Sequence, residues 1–247
     1  MMFRTRLLLI FTVTIVAAIG LVEALVLAST REAFERAQAQ RTAVLTAQFR
    51  NEFKRRGQET VRTVTAIASL DAVRKIALQP ETAEYYDAAA PLARSHALDL
   101  LELVSGDGTI VSSAEWPARF GYKEDWLTSG EDWSSRGAFL RREELEQRTT
   151  LSLVAVGVAA EGDRKLYVVG GQELDRDFLG TLVLPEGMRV LLYQNLEPQF
   201  TPANLIGAAG PAAHAEVLRP LIERVLRERR ELSTTIGSGA DAESFQA

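Results

Sequence analysis

The stretch LDLLELVSGDGTIVSS, residues 98–113, decides the fold: two apolar runs, 98–104 and 109–113, flank the tetrapeptide Ser105-Gly106-Asp107-Gly108. Asp-Gly and Gly supply the positive φ that a tight reversal needs, so this stretch predicts a β-hairpin. The same grammar returns downstream, where TLSLVAVGVA (150–159) and KLYVVGG (165–171) flank Glu161-Gly162-Asp163-Arg164 and predict a second hairpin. MRVLLYQ (188–194) is a fifth strand candidate. Between the fourth and fifth strands Asp175 is placed to cap a short helix through Leu179 or Gly180, and Pro185-Glu186-Gly187 makes a turn. Leu218, Leu221, Ile222, Val225, Leu226 and Leu232 form an apolar stripe opposed by Glu223, Arg224, Arg227 and Glu228, an amphipathic helix that Pro220 starts or kinks. Hairpins with helices outside them imply the α+β class, with an antiparallel sheet of about five strands.

Upstream of the first hairpin the pattern is helical. From residue 29 to 78 there is no proline and a single glycine, Gly57, so one helix of up to about 75 Å is allowed. Phe34, Ala37, Val44, Leu45, Phe49 and Phe53, then Val61, Val64, Ile67 or Ala68 and Leu70, recur at three- and four-residue steps. Arg55, Arg56 and Gly57 interrupt this stripe and predict a bend, dividing a stalk (29–56) from a packing helix (59–78) that must stop at Gln79-Pro80. Residues 81–90 then make a helical connector ended by Pro91.

Residues 7–28, LLLIFTVTIVAAIGLVEALVLA, carry Glu23 as their one charge and give about 33 Å of helix, enough to cross a bilayer. Arg4 and Arg6 precede this run, while Arg31, Glu32, Glu35 and Arg36 after it sum to zero, which places the N-terminus in the cytoplasm and residues after about 29 outside. The alternative is a cleaved signal peptide with Ala18-Ile19-Gly20 as its processing site, against which the apolar run continues through Leu27. The expected organisation is therefore a cytoplasmic tip and transmembrane helix (1–28), a long stalk and packing helix (29–78) and an extracytoplasmic domain (79–247).

The chain has 247 residues, a net charge of −5 and no cysteine. The composition excludes disulfide scaffolds, cysteine-based metal sites and a cysteine nucleophile, and the acidic balance argues against nucleic acid as a partner. Residues 29–78 carry +5 and residues 79–247 carry −11, so the basic excess lies next to the expected membrane surface. His96 and His214 are the two histidines and belong to no metal or catalytic spacing, and neither a P-loop nor a G-x-G-x-x-G run is present. Neither a cofactor nor a resident metal is expected.

The segment richest in binding chemistry is the connection 114–148, with Trp116, Trp126, Trp133, Phe120, Tyr122, Arg119, Lys123, Arg136, Arg141 and Arg142. Arginines among aromatic rings suit a small anionic or zwitterionic ligand, or else the rings form a satellite core that pins the loop to the sheet. A hydrolase using Glu115, Asp125 or Asp132 is the residual enzyme reading.

The apolar N-terminal helix running into a long helix, LELVSGDGTIVSSAEWPARFGY (101–122), KLYVVGGQEL (165–174) and LPEGMRVLLYQNLEP (184–198) together resemble the extracytoplasmic sensor regions of bacterial membrane histidine kinases. The likeness is to the nitrogen-regulation group with a single Cache-type, PAS-like domain. It implies a sheet of five or more antiparallel strands, a long N-terminal helix packed on it, and ligand held between the sheet and the loops after the second strand. Carried onto this chain, it places Trp116, Arg119, Tyr122, Trp133 and Arg136 around the site, with Tyr167 facing it from a strand. It also implies an inner-membrane location and a response regulator served by a kinase part that these residues do not contain. A homodimer is predicted from the stripe Phe34, Val44, Leu45, Phe49 and Phe53, which has nothing of its own chain to bury against if the helix projects as a stalk. A phosphoacceptor histidine box and ATP-binding glycines are missing from the sequence, so residues 1–247 alone are expected to carry no kinase activity. A chemoreceptor sensor, or a secreted or tethered binding protein, are the alternatives. Residues 232–236 and 244–247 read as a strand being cut off.

Overall fold

The computed structural model describes residues 43–44, 46–80, 83–182, 184, 188–212, 215–236 and 243–246. It divides into two compact units, 1–51 and 52–247. In the first, the described residues 43–44 and 46–50 are helical. The expected membrane span at 7–28 lies outside the described residues, and among the described residues no helix is long and apolar enough to cross a membrane. Everything below concerns the second unit.

Helix α1 occupies 52–68 and runs straight through Arg55, Arg56 and Gly57, where the sequence predicted a bend. Glu52 accepts from Arg55 Nε at 2.8 Å and from Arg56 Nε at 3.3 Å, and Arg55 also pairs with Glu59 at 2.5 Å. These i,i+3 and i,i+4 pairs support the helix where charge alone suggested a gap. The break comes instead at Ser69-Leu70, after which α2 (Asp71–Leu78) ends at Gln79, as Pro80 requires. Pro91 lies in the first turn of α3 (Ala89–Ser95) rather than ending a helix, because an N–H there has no intrahelical acceptor to lose. Ser112 Oγ accepts from Ala89 N at 2.9 Å and donates to Tyr86 O at 2.7 Å, fixing the start of α3 to the sheet.

The main sheet comprises β1 (Leu100–Ser105), β2 (Ile110–Ser113), β3 (Phe139–Glu144), β4 (Thr149–Glu161) and β5 (Arg164–Glu173), antiparallel throughout, in the order β2-β1-β5-β4-β3. Both predicted hairpins are present as β1–β2 and β4–β5. The fifth strand is not 188–194. It is β3, from inside the long connection, whose sequence FLRREE has no apolar run to betray it.

Leu191–Tyr193 forms β6 in a separate three-stranded sheet with β7 (Leu205–Gly207) and β8 (Gly210–Pro211). Helix α4 (Arg176–Gly180) is capped by Asp175, whose Oδ1 accepts from Phe178 N at 2.9 Å, as predicted. Helix α5 (Ala215–Glu228) contains Pro220 and ends before Leu232; its Leu218 and Ile222 pack with Leu205, Tyr193 and Phe200. β9 (Ser233–Ile236) pairs with β10 (Glu243–Gln246).

Because side chains alternate across a strand, the main sheet has two distinct faces. On one, Leu101, Leu103, Ala155, Ala159, Leu166 and Val168 lie under Val64 and Ile67 of α1, Val73 and Ile76 of α2, and Ala89 and Ala93 of α3. Gly157 and Gly170 sit where α1 crosses: a Cβ on Gly157 would stand 3.0 Å from Val64 O, and one on Gly170 2.9 Å from Val64 Cγ2. On the other face, Val104, Val156, Val169, Ile110 and Leu127 pack with Trp126, Trp133, Phe139 and Tyr167.

Candidate functional site

The connection between β2 and β3 covers the face opposite α1. It leaves β2 through a 3₁₀ turn at Pro117–Arg119 and doubles back along β2's outer edge. Gly121 N donates to Ile110 O at 2.9 Å, Ile110 N to Tyr122 O at 2.8 Å, and Glu124 N to Gly108 O at 2.7 Å. Gly108 and Gly121 both take φ of 84°, the left-handed region that glycine enters without strain. Lys123 Nζ clamps the return to the hairpin, 2.6 Å from Asp107 Oδ2 and 2.6 Å from Thr109 Oγ1. Its bond, with that of Ser105, holds the Asp107 carboxyl below the usual range.

This route carries Arg119 and Glu124 onto a buried ionic cluster. Arg119 Nη1 donates to Glu102 Oε1 at 3.0 Å, and its Nη2 pairs with Glu124 Oε1. Arg141 Nη2 donates to Glu124 Oε2 at 2.8 Å, and the guanidinium carbon of Arg141 lies 4.0 Å from the Trp126 ring centre. Ser113 Oγ donates to Glu102 Oε1 at 3.2 Å. Burial raises the Glu102 carboxyl, against the pull of Arg119. Burial also pushes Glu124 up, but the Arg141 hydrogen bond and the charges of Arg141 and Arg119 leave it lowered. Glu143 is buried, and burial pushes its carboxyl up to about 7 despite Arg141.

The cluster is not fully satisfied. Among the described residues, Arg141 Nη1, Glu143 Oε1 and Ser152 Oγ are buried atoms with no hydrogen-bond partner. Arg141 and Ser152 are cross-strand partners, and Glu143 is two residues further along β3, so the three lie on one patch of the sheet. Arg141 Nε stands 3.5 Å from Glu143 Oε1, an ion pair without a hydrogen bond. Buried polar atoms are ordinarily paired, so a group of orphans marks a place for a bound partner or water.

A cavity of about 10 Å³ opens beside this patch, the space of one water or a head group of that size. Leu100, Leu101 and Val169 supply its apolar wall; Glu102, Ser113, Trp116, Arg119 and Glu143 bring the polar groups, and Glu115, Glu144 and Leu145 complete the lining. Glu115 lies close enough to Glu173 and Asp99 for their charges to add to its burial in raising its carboxyl. Among the described residues no group of three or more His, Cys, Asp or Glu side chains is arranged to hold a metal ion.

The residues expected around the site do not converge. Trp116 and Arg119 line the cavity, with the Arg119 guanidinium carbon 5.7 Å from the Trp116 ring centre. Trp133 instead packs edge-on against Trp126 at 4.9 Å, donates from its Nε1 to Trp126 O at 2.8 Å, and lies under Arg136, whose guanidinium carbon is 4.8 Å from its ring centre. Tyr167 joins that aromatic group from β5, and Tyr122 is exposed on the edge of β2. Asp125 and Asp132 are exposed loop acids, the latter accepting from Ser134 Oγ at 2.6 Å. Sequence reasoning missed Glu102, Glu124, Arg141 and Glu143 as a unit. One signal was available: Glu102 is the one charged residue of LLELVS, and a charge inside an apolar strand needs a partner. Against known proteins, no family model matches the chain and no curated protein matches it.

Proposed function

We propose that this chain is the extracytoplasmic sensing portion of a membrane-bound two-component histidine kinase, with a Cache/PAS-like domain whose ligand state is passed through the N-terminal helix across the membrane. The observation that carries the reading is the incompletely paired polar patch and its cavity beneath the loop after β2, on the sheet face opposite α1. Ligand at that patch would touch Glu102 and Glu143, while Leu101 and Leu103 of the same strand bear on α1's side of the sheet. A shift of β1 is thus felt on both faces, the coupling that a sensor needs between two packings of its signalling helix.

The membrane span at 7–28, the extracytoplasmic placement, the homodimer and the response regulator belong to the same proposal and rest on the sequence. Of the stripe proposed for the dimer, Phe53 packs edge-on against Phe178 of its own chain at 6.3 Å between ring centres.

The test is thermal unfolding of the full chain in lipid nanodiscs against a panel of amines, amino acids and carboxylates. A ligand that binds the native state raises the midpoint, and above its Kd the rise grows with the logarithm of its concentration. A rise with one of them that grows with the logarithm of its concentration, lost in Trp116→Ala while the unliganded midpoint stays within a few degrees, supports the sensor. A panel without any rise overturns it.

A further inference from the structure

We infer that the site recognises a small protonated amine, whose ammonium head enters the cavity beside Trp116 and donates a hydrogen bond to Glu143 Oε1. This rests on the sensor reading and names the ligand class of its site. The lining holds the carboxylates of Glu102, Glu115 and Glu144 and the carboxyl group of Glu143 against the single guanidinium of Arg119. That guanidinium is already committed, one nitrogen to Glu102 and the other to Glu124. An anion entering here is repelled by net negative charge and finds an arginine already held by two carboxylates, whereas a cation is attracted.

The second observation is the acceptor itself. Glu143 is 6% exposed, lines the cavity, and has an Oε1 with no hydrogen-bond partner among the described residues. A buried carboxylate oxygen in this condition is completed by an N–H donor, and a charged donor gives the shorter and stronger bond. The cavity's roughly 10 Å³ fits one ammonium group, with any larger part of the ligand lying toward the exposed Glu115 and Glu144. A bare metal ion is disfavoured because no three ligands converge among the described residues. Asp99 and the Glu173–Arg148 ion pair lie beside Glu115, so Asp99 adds its charge to that of Glu115 at the mouth.

Binding is coupled to a proton. The groups facing Glu143 are Glu102 on β1, Glu124 and Arg119 from the loop, Arg141 and Glu144 on its own strand, and Glu115 at the rim. With Glu143 neutral, Glu102 and Glu124 balance Arg119 and Arg141. An incoming ammonium ion stabilises the ionised form of Glu143, so the carboxylic acid gives its proton to solvent as the charged pair forms.

The full chain in nanodiscs is titrated with methylammonium, tetramethylammonium, potassium and acetate, following tryptophan fluorescence and the unfolding midpoint. Methylammonium is expected to give a saturable fluorescence change and a midpoint that climbs with the logarithm of its concentration, and the other three neither. Glu143→Gln, which keeps the side chain's size, is expected to weaken methylammonium binding at least about tenfold, the worth of one charge-assisted hydrogen bond. Calorimetry near pH 6 in buffers of different ionisation enthalpy should show proton release on binding. A response to tetramethylammonium or potassium equal to that of methylammonium, or an undiminished response in Glu143→Gln, overturns the amine assignment. A response to acetate or another carboxylate alone overturns it while leaving the sensor standing, and silence across the amines, amino acids and carboxylates removes both.

Discussion

Arg119 Nη1 reaches Glu102 Oε1 across 3.0 Å, tying the loop that follows β2 to the middle of β1. The same guanidinium holds Glu124, so one side chain bonds two carboxylates whose side chains are 11% and 4% exposed. Removing it leaves two buried charges with reduced compensation. Arg119→Ala is therefore expected to cost about 3–5 kcal/mol of unfolding free energy, because breaking a buried pair strands the remaining charge. Urea titration measures this, and a loss below about 1 kcal/mol would mean that water reaches the cluster freely. Arg119→Lys keeps the charge but not the two-armed geometry and should recover part of the loss.

Gly157 and Val64 set how closely α1 approaches the sheet. A Cβ on Gly157 would meet Val64 O at 3.0 Å and the Ala68 side chain at 3.1 Å, and a backbone oxygen cannot rotate away. Gly157→Ala should destabilise by about 1–3 kcal/mol, the range for overpacking a tight contact. If signalling runs through α1, this variant should also shift the ligand response. Gly180→Ala is the control, since nothing lies within 4 Å of its added Cβ.

Both hairpins, the stop at Gln79, the Asp175 cap and the amphipathic α5 were legible because each is a local pattern: turn residues between apolar runs, a proline, a short polar side chain before a helix. β3 was not. Its Arg141 is drawn inward by Glu124 of the loop and stands beside Glu143 of its own strand, a tertiary cause with no periodic signature. The bend expected at Arg55-Arg56-Gly57 failed for a similar reason, since Glu52 and Glu59 turn a charge run into helix support. In the candidate site, composition drew attention to the tryptophan-rich connection but could not say which rings pack. Trp126 and Trp133 are joined to Phe139 as a cluster, and Trp116 alone of the three lines the cavity.

Ala97 follows α3 with φ of 52°, a left-handed conformation in which a Cβ is strained. The strain is held by Leu98 N donating to Ala93 O at 3.0 Å, which closes the helix end. Ala97 is exposed, so its methyl group contributes little packing. Ala97→Gly should stabilise by about 0.5–1 kcal/mol, the relief of strain outweighing the greater freedom of glycine in the unfolded chain. A differential-scanning midpoint at or below that of the parent would place the strain elsewhere.

Glu143 gives the domain a pH dependence of defined sign. Its carboxyl rises from 4.5 to about 7 on folding, so the folded state favours the protonated form. The stability linked to this group is fully present below the unfolded value, is lost as pH rises to about 7, and is flat above it. The full difference is about 3 kcal/mol on the scale of one pKa step per 1.36 kcal/mol. Glu102 is raised by burial and acts in the same direction, whereas Glu124 is lowered and loses its contribution as pH falls. Glu143→Gln isolates the effect, because it keeps the shape and removes the titration. The variant and the parent should be of similar stability near about pH 5, with the variant the more stable near about pH 8. Urea unfolding at both pH values measures the difference. Two parallel pH profiles would show that Glu143 ionises in the folded state at no cost and that its neutral form is not the resting state of the cluster.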